Sequence, residues 1–403
     1  MRQIWMAMVL VVGCAGGAPN ARLGVRYDRQ LKERAETAIL RGLASADVAE
    51  RLQATRIAVE LADPAIDPAL PPRLTDPDPR IRALAAVALS GHESAQRVLL
   101  LALSGPDADA RRIAVDAIAA FDEGIAILEK LSTDPDPGVR ARVAAELGAG
   151  KARGAASHRL RERTLEQLCA DGDAGVRAAA LRALTALAPR MAQPRIDRAL
   201  ADPALSVRLA ALAALMKIDD SPARLAAIDT GADRYLAVRL AVQLHRRGRA
   251  PQALLALRAA AIDRLAEVRA AAMNAAGELG DAGAAIALPL LRDPDLAVRL
   301  SAARAMIHAG HPDPARPVLL AALHTPFALD AADELARLGD PRGRAHLDAA
   351  LASDDVAVRR RALQLAAPLP ASLPALAHAL DDSDATIRLA AAETLLRRAF
   401  PPR

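Results

Sequence analysis

Residues 279–299 read Leu279-Gly280-Asp281-Ala282-Gly283-Ala284-Ala285-Ile286-Ala287-Leu288-Pro289-Leu290-Leu291-Arg292-Asp293-Pro294-Asp295-Leu296-Ala297-Val298-Arg299. Gly-Asp opens an apolar helical stretch, Asp-Pro-Asp ends it, and Val-Arg opens a second. The device returns as Leu338-Gly339-Asp340-Pro341, His346-Leu347 through Leu351, Asp354-Asp355 and Val358-Arg359. Two short helices per unit is the reading.

The Arg of the second helix sets the phase. It stands at Arg82, Arg111, Arg140, Arg177, Arg208, Arg239, Arg269, Arg299, Arg359 and Arg388, with spacings of 29, 29, 37, 31, 31, 30, 30, 60 and 29 residues. The double step hides a degenerate copy in which Leu329-Asp330 replaces Val-Arg. A period near 30 over most of the chain predicts an all-α solenoid, a superhelical stack of about eleven helix pairs.

Composition agrees. The 403 residues are 53% hydrophobic but only 1% aromatic, so packing must come from small side chains rather than rings. Ala has the best helix propensity, and helices of roughly ten to twelve residues are marginal alone, so neighbours must hold them. After Arg208, Leu212 and Leu215 recur at helical spacing as candidate core. Asp78, Asp136 and Asp295 are placed to cap the helix that follows each, with Pro79 and Pro137 in the first turn. Glycines as in Gly91-His92 and Gly310-His311 are expected to stop helices. The recurring Arg is expected to pair with its own or the preceding Asp loop, a structural ladder along the stack, because its planar fork satisfies several acceptors at once.

Three regions break the period: a Pro-rich opening at 28–75, expected to cap the solenoid that runs over 76–403; the Asp330 copy, where the stack is expected to bend or loosen; and the 37-residue step. That step contains Gly148-Ala149-Gly150-Lys151-Ala152-Arg153-Gly154, read as a loop insertion that makes a small basic patch with Arg159, Arg161 and Arg163.

The unit resembles the short HEAT-like repeat of the phycobilisome-lyase type. The Gly339-Asp340-Pro341 entry, the Asp-Pro-Asp loops at 76, 134 and 293 and the Val-Arg pairs carry the resemblance over roughly residues 30–399. It implies the architecture and leaves function open, since such repeats serve lyases, hydroxylases, DNA-repair proteins and scaffolds.

The N-terminus has a separate reading. Arg2 and the apolar run from Ile4 to Val12 fit an export signal too short to span a bilayer. Val11-Val12-Gly13-Cys14 resembles a bacterial lipobox. The resemblance implies removal of residues 1–13, acylation of Cys14, a flexible tether over 14–27 and residence at the cell envelope, on the periplasmic side of a membrane. Ala15 after the Cys favours the outer membrane. Cys169 is then the one remaining thiol, so no internal disulfide forms, and it reads as a small buried hydrophobe.

No P-loop, dinucleotide turn or nucleophile motif occurs. No catalytic, cofactor-binding or metal residues are assigned. An iron hydroxylase of the HEAT class would need several His-Glu pairs, and His92-Glu93 stands alone. His308, His311, Asp313 and His324 lack the spacing that fixes a third ligand. The formal charge is +5, but acids accompany the arginines and the aromatics that stack on bases are missing, so nucleic acid is not the expected partner. The expectation is a monomeric, non-catalytic protein-interaction scaffold held at the envelope by lipid. A HEAT-type enzyme or enzyme subunit, lyase-like or metal-dependent, and a nucleic-acid binder are the alternatives. With Tyr27, Phe121, Tyr235, Phe327 and Phe400 as its aromatics outside the signal, its partner contacts are expected to be broad and led by Arg.

Overall fold

The computed structural model describes residues 20–118, 124–149, 155–218, 222–228, 230, 233–366 and 373–399; Cys14 and the export signal lie outside them. The described residues form helices, turns and loops, with no strand among them.

The helices come in pairs. The first are α1 (Asn20–Leu43) with α2 (Val48–Leu61), and then α3 (Pro79–Ala88), whose partner is reduced to two 3-10 turns at Asp67–Ala69 and Pro71–Thr75. Next come α4 (Glu93–Leu103) with α5 (Ala108–Ile118), α6 (Gly124–Leu131) with α7 (Pro137–Ala149), and α8 (Ala155–Leu168) with α9 (Ala174–Leu187). They continue with α10 (Pro189–Ala199) and α11 (Leu205–Ile218), α12 (Pro222–Ala226) and α13 (Arg234–Arg246), and α14 (Ala250–Ala261) and α15 (Ala266–Ala276). The last are α16 (Asp281–Leu290) with α17 (Leu296–His308), α18 (Arg316–Ala322) with α19 (Ala328–Arg337), α20 (Pro341–Leu351) with α21 (Val356–Ala366), and α22 (Leu373–Ala379) with α23 (Ala385–Ala399). Counting the pair whose first member is the two turns, the described residues hold twelve units.

Second helices lie side by side, as α7 does on α9, α9 on α11 and α15 on α17, while first helices such as α4, α10 and α14 bridge the second helices before and after them. Buried positions therefore run most of the way round a second helix. In α11, Val207, Ala210, Ala211, Leu212, Ala214 and Leu215 are all buried, as expected of a helix covered on several sides. Close approach needs small residues. A Cβ built on Gly148 would stand 2.7 Å from the Cα of Ala183, which is how α7 and α9 come so near; Gly148 thus lies inside a helix and not in the expected insertion loop.

The stack closes on itself. α1 packs against α23 as well as α2, and α2 also touches α23, so α1 follows α23 in the way α4 follows α3. Leu31, Ala35, Ile39 and Leu43 form one buried stripe of α1, joined in a single apolar cluster with Leu389, Leu395 and Leu396. Gly42 permits the contact: an added Cβ would come within 2.8 Å of the Ala54 Cβ and 3.0 Å of the Leu389 side chain. The region 28–75 is therefore the joint of a ring, not a cap. α1 begins at Asn20, within the stretch expected to be tether, so that expected tether is correspondingly shorter.

Candidate functional site

The recurring Arg makes two sets of bonds, and Arg111 shows both. Its Nη1 donates to the carbonyls of Gly105 and Pro106 in its own loop, at 2.9 and 3.0 Å. Its Nε and Nη2 donate to the two oxygens of Asp134, at 2.8 and 2.9 Å. Arg140 binds Asp134 O and Pro135 O, and then both oxygens of Asp171. Arg177 with Asp202, Arg269 with Asp293 and Arg359 with Asp382 repeat the fork, and Arg208 holds Asp233. The carboxylate thus comes from the following loop, whereas the sequence reading named the Arg's own loop or the preceding one.

A rung Asp sits six positions before the next recurring Arg, and Asp134 does three things. The Asp134 Oδ1 accepts the Asp136 amide at 2.9 Å, shaping the loop; its carbonyl takes Arg140; its carboxylate takes Arg111. Binding to Arg140 holds the Asp171 carboxyl below the usual carboxylate range, and Arg177 and Arg269 do the same for Asp202 and Asp293. The caps are a second row. Asp78 accepts from the Arg80 amide, Asp136 from Val139 at 3.0 Å and Asp295 from Val298 at 3.1 Å. At the opposite helix end Gly310 has φ +85°, while Gly91 is absent from the positive-φ residues.

The row differs from the sequence reading at several places. Arg51 in α2 is an additional member: it binds Ser45 O and Ala46 O, both at 2.9 Å, and both oxygens of Asp76. Arg239 is not one. α13 starts at cap Asp233, six residues before Arg239 instead of the four that separate Asp136 from Arg140, so Arg239 is rotated out to an exposed position. One residue, Asp233, there serves as both cap and rung.

The degenerate unit inverts its charge. Asp330 accepts from Arg361 of α21 at 2.9 Å and lies 3.6 Å from Arg304 of α17, whose Nε donates to Glu334 at 2.8 Å. At the ring joint Ser45 occupies the rung position, and Glu50 replaces it. Arg388 donates to Glu50 at 3.2 Å while the Ser45 hydroxyl holds the other Glu50 oxygen at 2.7 Å.

Among the described residues, two arginines of the row bind only their own loop. Arg299 donates to Asp293 O and Pro294 O, and the next rung position is His324. Arg82 donates to Asp76 O at 2.7 Å and Pro77 O at 2.8 Å, and the next rung position is Gly105. Beside Arg82 lies a cavity of about 340 Å³ lined by Leu74, Pro79, Val98, Leu101, Ala102 and Ala110 together with Asp107.

Two described members of the expected basic patch are engaged elsewhere. Arg161 is fully buried, with its Nε donating to Leu147 O at 2.7 Å, and burial lowers its pKa. Arg163 lies 3.5 Å from Glu129. Residues 150–154 lie outside those described. His311 is 2.7 Å from Asp281, and no group of three or more His, Cys, Asp or Glu arranged to hold a metal occurs among the described residues. Cys169 is half-buried, and desolvation pushes its thiol up to about 12.

No family model matches the chain, and no curated protein matches its sequence. Among solved structures it is similar to the karyopherin Kap121p at 15% identity and a TM-score of 0.35, over 93% of this chain and 50% of that one. The chain thus spans about half the karyopherin's length. It is also similar to the CpcE–CpcF complex of phycocyanin lyase from Nostoc sp. PCC7120, at 19% identity and a TM-score of 0.32, over 63% of this chain and 92% of that one. An engineered protein matches at 20% identity and a TM-score of 0.27, over 92% of this chain and all of that one.

Proposed function

We propose that the protein is a non-catalytic, protein-binding scaffold, held at a bacterial envelope by a lipid on Cys14. The observation that carries the binding role is the apolar surface of the α14 unit. Leu255 and Ile262 stand seven residues apart, on one helical face continued into the C-cap, and are 73% and 83% exposed; Leu265, 59% exposed, follows them. A cluster of large apolar side chains turned to solvent is costly to maintain and suits a protein partner. The ladder supports a protein over a nucleic acid, because its arginines are largely committed to carboxylates and carbonyls within the stack.

The anchoring half rests on Val11-Val12-Gly13-Cys14. In the native host, radiolabelled palmitate should enter the wild type and not Cys14→Ala; equal labelling of the two would remove the anchor. For the binding half, a photocrosslinker at position 255 should trap a discrete envelope protein. The pair Ile262→Glu and Leu265→Glu, both at exposed positions, should abolish that adduct while helical circular dichroism is retained. An adduct indifferent to both changes would refute the assignment of this face.

A further inference from the structure

We propose that the gap beside Arg82 is a docking site for a partner segment carrying an Asp or Glu within two residues of a large apolar side chain. This rests on the reading of the protein as a protein-binding scaffold and names the chemistry of one contact. The partner's carboxylate would complete the missing rung, and its apolar neighbour would enter the cavity.

The Arg82 guanidinium is already positioned. Its Nη1 is fixed by Asp76 O and Pro77 O, as Arg111 is fixed by Gly105 O and Pro106 O. In Arg111 the remaining edge, Nε and Nη2, takes a carboxylate in bidentate fashion, and Arg51, Arg140, Arg177, Arg269 and Arg359 do the same. In Arg82 that edge has no acceptor among the described residues, because the rung position is Gly105 and a glycine has no side chain to offer. The stack thus shows repeatedly which group this geometry takes. Asp107 does not forbid an added carboxylate: it stands where Asp136 stands beside Arg111, and Asp134 is bound there.

The space is shaped for more than an ion. A cavity of about 340 Å³ with mainly apolar walls opens beside Arg82, near the lower end of the range for ligand pockets. Leu101, one of its walls, is 71% exposed, and the adjacent Leu100 is 51% exposed. Both would be covered by a peptide lying across α4. A bare anion would leave the cavity walls and both leucines wet.

The chain's own rung supplies a probe, Leu74-Thr75-Asp76-Pro77-Asp78-Pro79, as a fluorescein-labelled hexapeptide read by anisotropy against the full-length protein. The hexapeptide should bind, and its analogue with Asn in place of the first Asp should bind at least about tenfold more weakly, as should the original peptide to Arg82→Gln. Gly105→Asp should fill the rung from within, removing peptide binding and raising the melting temperature; its added Cβ would meet only Ala102 O at 3.3 Å and Leu101 O at 3.4 Å. Equal affinity of the Asp and Asn peptides, or unchanged affinity in Arg82→Gln, would overturn the proposal. So would octanoate binding at Arg82 more tightly than the peptide, which would make this a small-acid site. If these arms fail while the position-255 adduct persists, the gap is lost and the scaffold reading stands. If that adduct is lost as well, both fall.

Discussion

The joint between α23 and α1 and the junctions within the stack are built to one plan from unequal materials. Inside, Arg111 and Asp134 form a two-pronged bond with side chains only 11% and 5% exposed. At the joint, Arg388 reaches Glu50 by one bond at 3.2 Å, the side chains 32% and 18% exposed. Its other ion pairs are more open: Arg34 and Asp381 are 46% and 71% exposed, and Arg397 and Glu60 are 47% and 49%. Its apolar stripe is nonetheless as dry as any, with Ala35 and Ile39 fully buried. Apolar burial supplies the energy of closure, and the polar rung fixes register. An open solenoid must cover its end units with polar faces. A ring has no end units, and the charged side chains at 34, 60, 381 and 397 line a joint instead.

The largest expected difference comes from cutting one rung on each side of that comparison. Arg111→Ala leaves a buried Asp134 without its partner, which costs about 3 kcal/mol or more. Arg388→Ala exposes Glu50 to water and should cost about 1 kcal/mol. Urea denaturation of the two variants checks this, and equal losses would contradict the assignment of the interior rung as the stronger one.

Next in size is steric opening of the joint. Gly42→Val must push aside Ala54 or Leu389, at about 1–3 kcal/mol. Spin labels at positions 60 and 397, whose native side chains form an ion pair, should be close in the wild type and move apart in Gly42→Val with helical content unchanged. A long distance in the wild type would refute closure.

Acid should loosen the interior rungs. The Asp171, Asp202 and Asp293 carboxyls titrate lower in the fold than the usual Asp value of about 3.9 because an Arg fork binds each charged form. A lowered folded pKa adds stability that is complete above the unfolded value and disappears as pH falls through the folded one. Stability should therefore be flat above about pH 5 and fall steeply below about pH 4. Arg177→Gln, which releases Asp202, should flatten that slope.

Much of this was legible in the chain. The register of Arg and Asp gives the helix pairs and caps, and the same count of six places Gly105 at an empty rung. Arg51 escaped because a charged residue, Glu50, precedes it where an apolar one precedes the other recurring arginines, although Asp47 stands four residues before it, as Asp136 stands before Arg140. Arg239 was misread for the converse reason: Val238 precedes it, but its cap is six residues away. The partner of each fork was ambiguous because the carbonyls of its own loop and the carboxylate of the next are both once-per-repeat features. Closure was not legible at all. It depends on small rotations between successive pairs that add up around the whole chain, and no single repeat encodes their sum.

The smallest expected effect separates the two kinds of opening. Cys169 follows the last residue of α8 and packs against the large core cluster rather than the one at the joint. With its thiol held near 12 by desolvation, it should react with iodoacetamide at neutral pH far more slowly than a free thiol, because the thiolate is the nucleophile. Gly42→Val should leave that rate almost unchanged, since the joint can part without wetting α8. Arg111→Ala should raise it, because the two interior pairs on either side of that rung flank the core on which Cys169 rests. If Gly42→Val raised the rate as much as Arg111→Ala, the ring would open as one cooperative unit, and the contrast between a soft joint and a firm interior would fail.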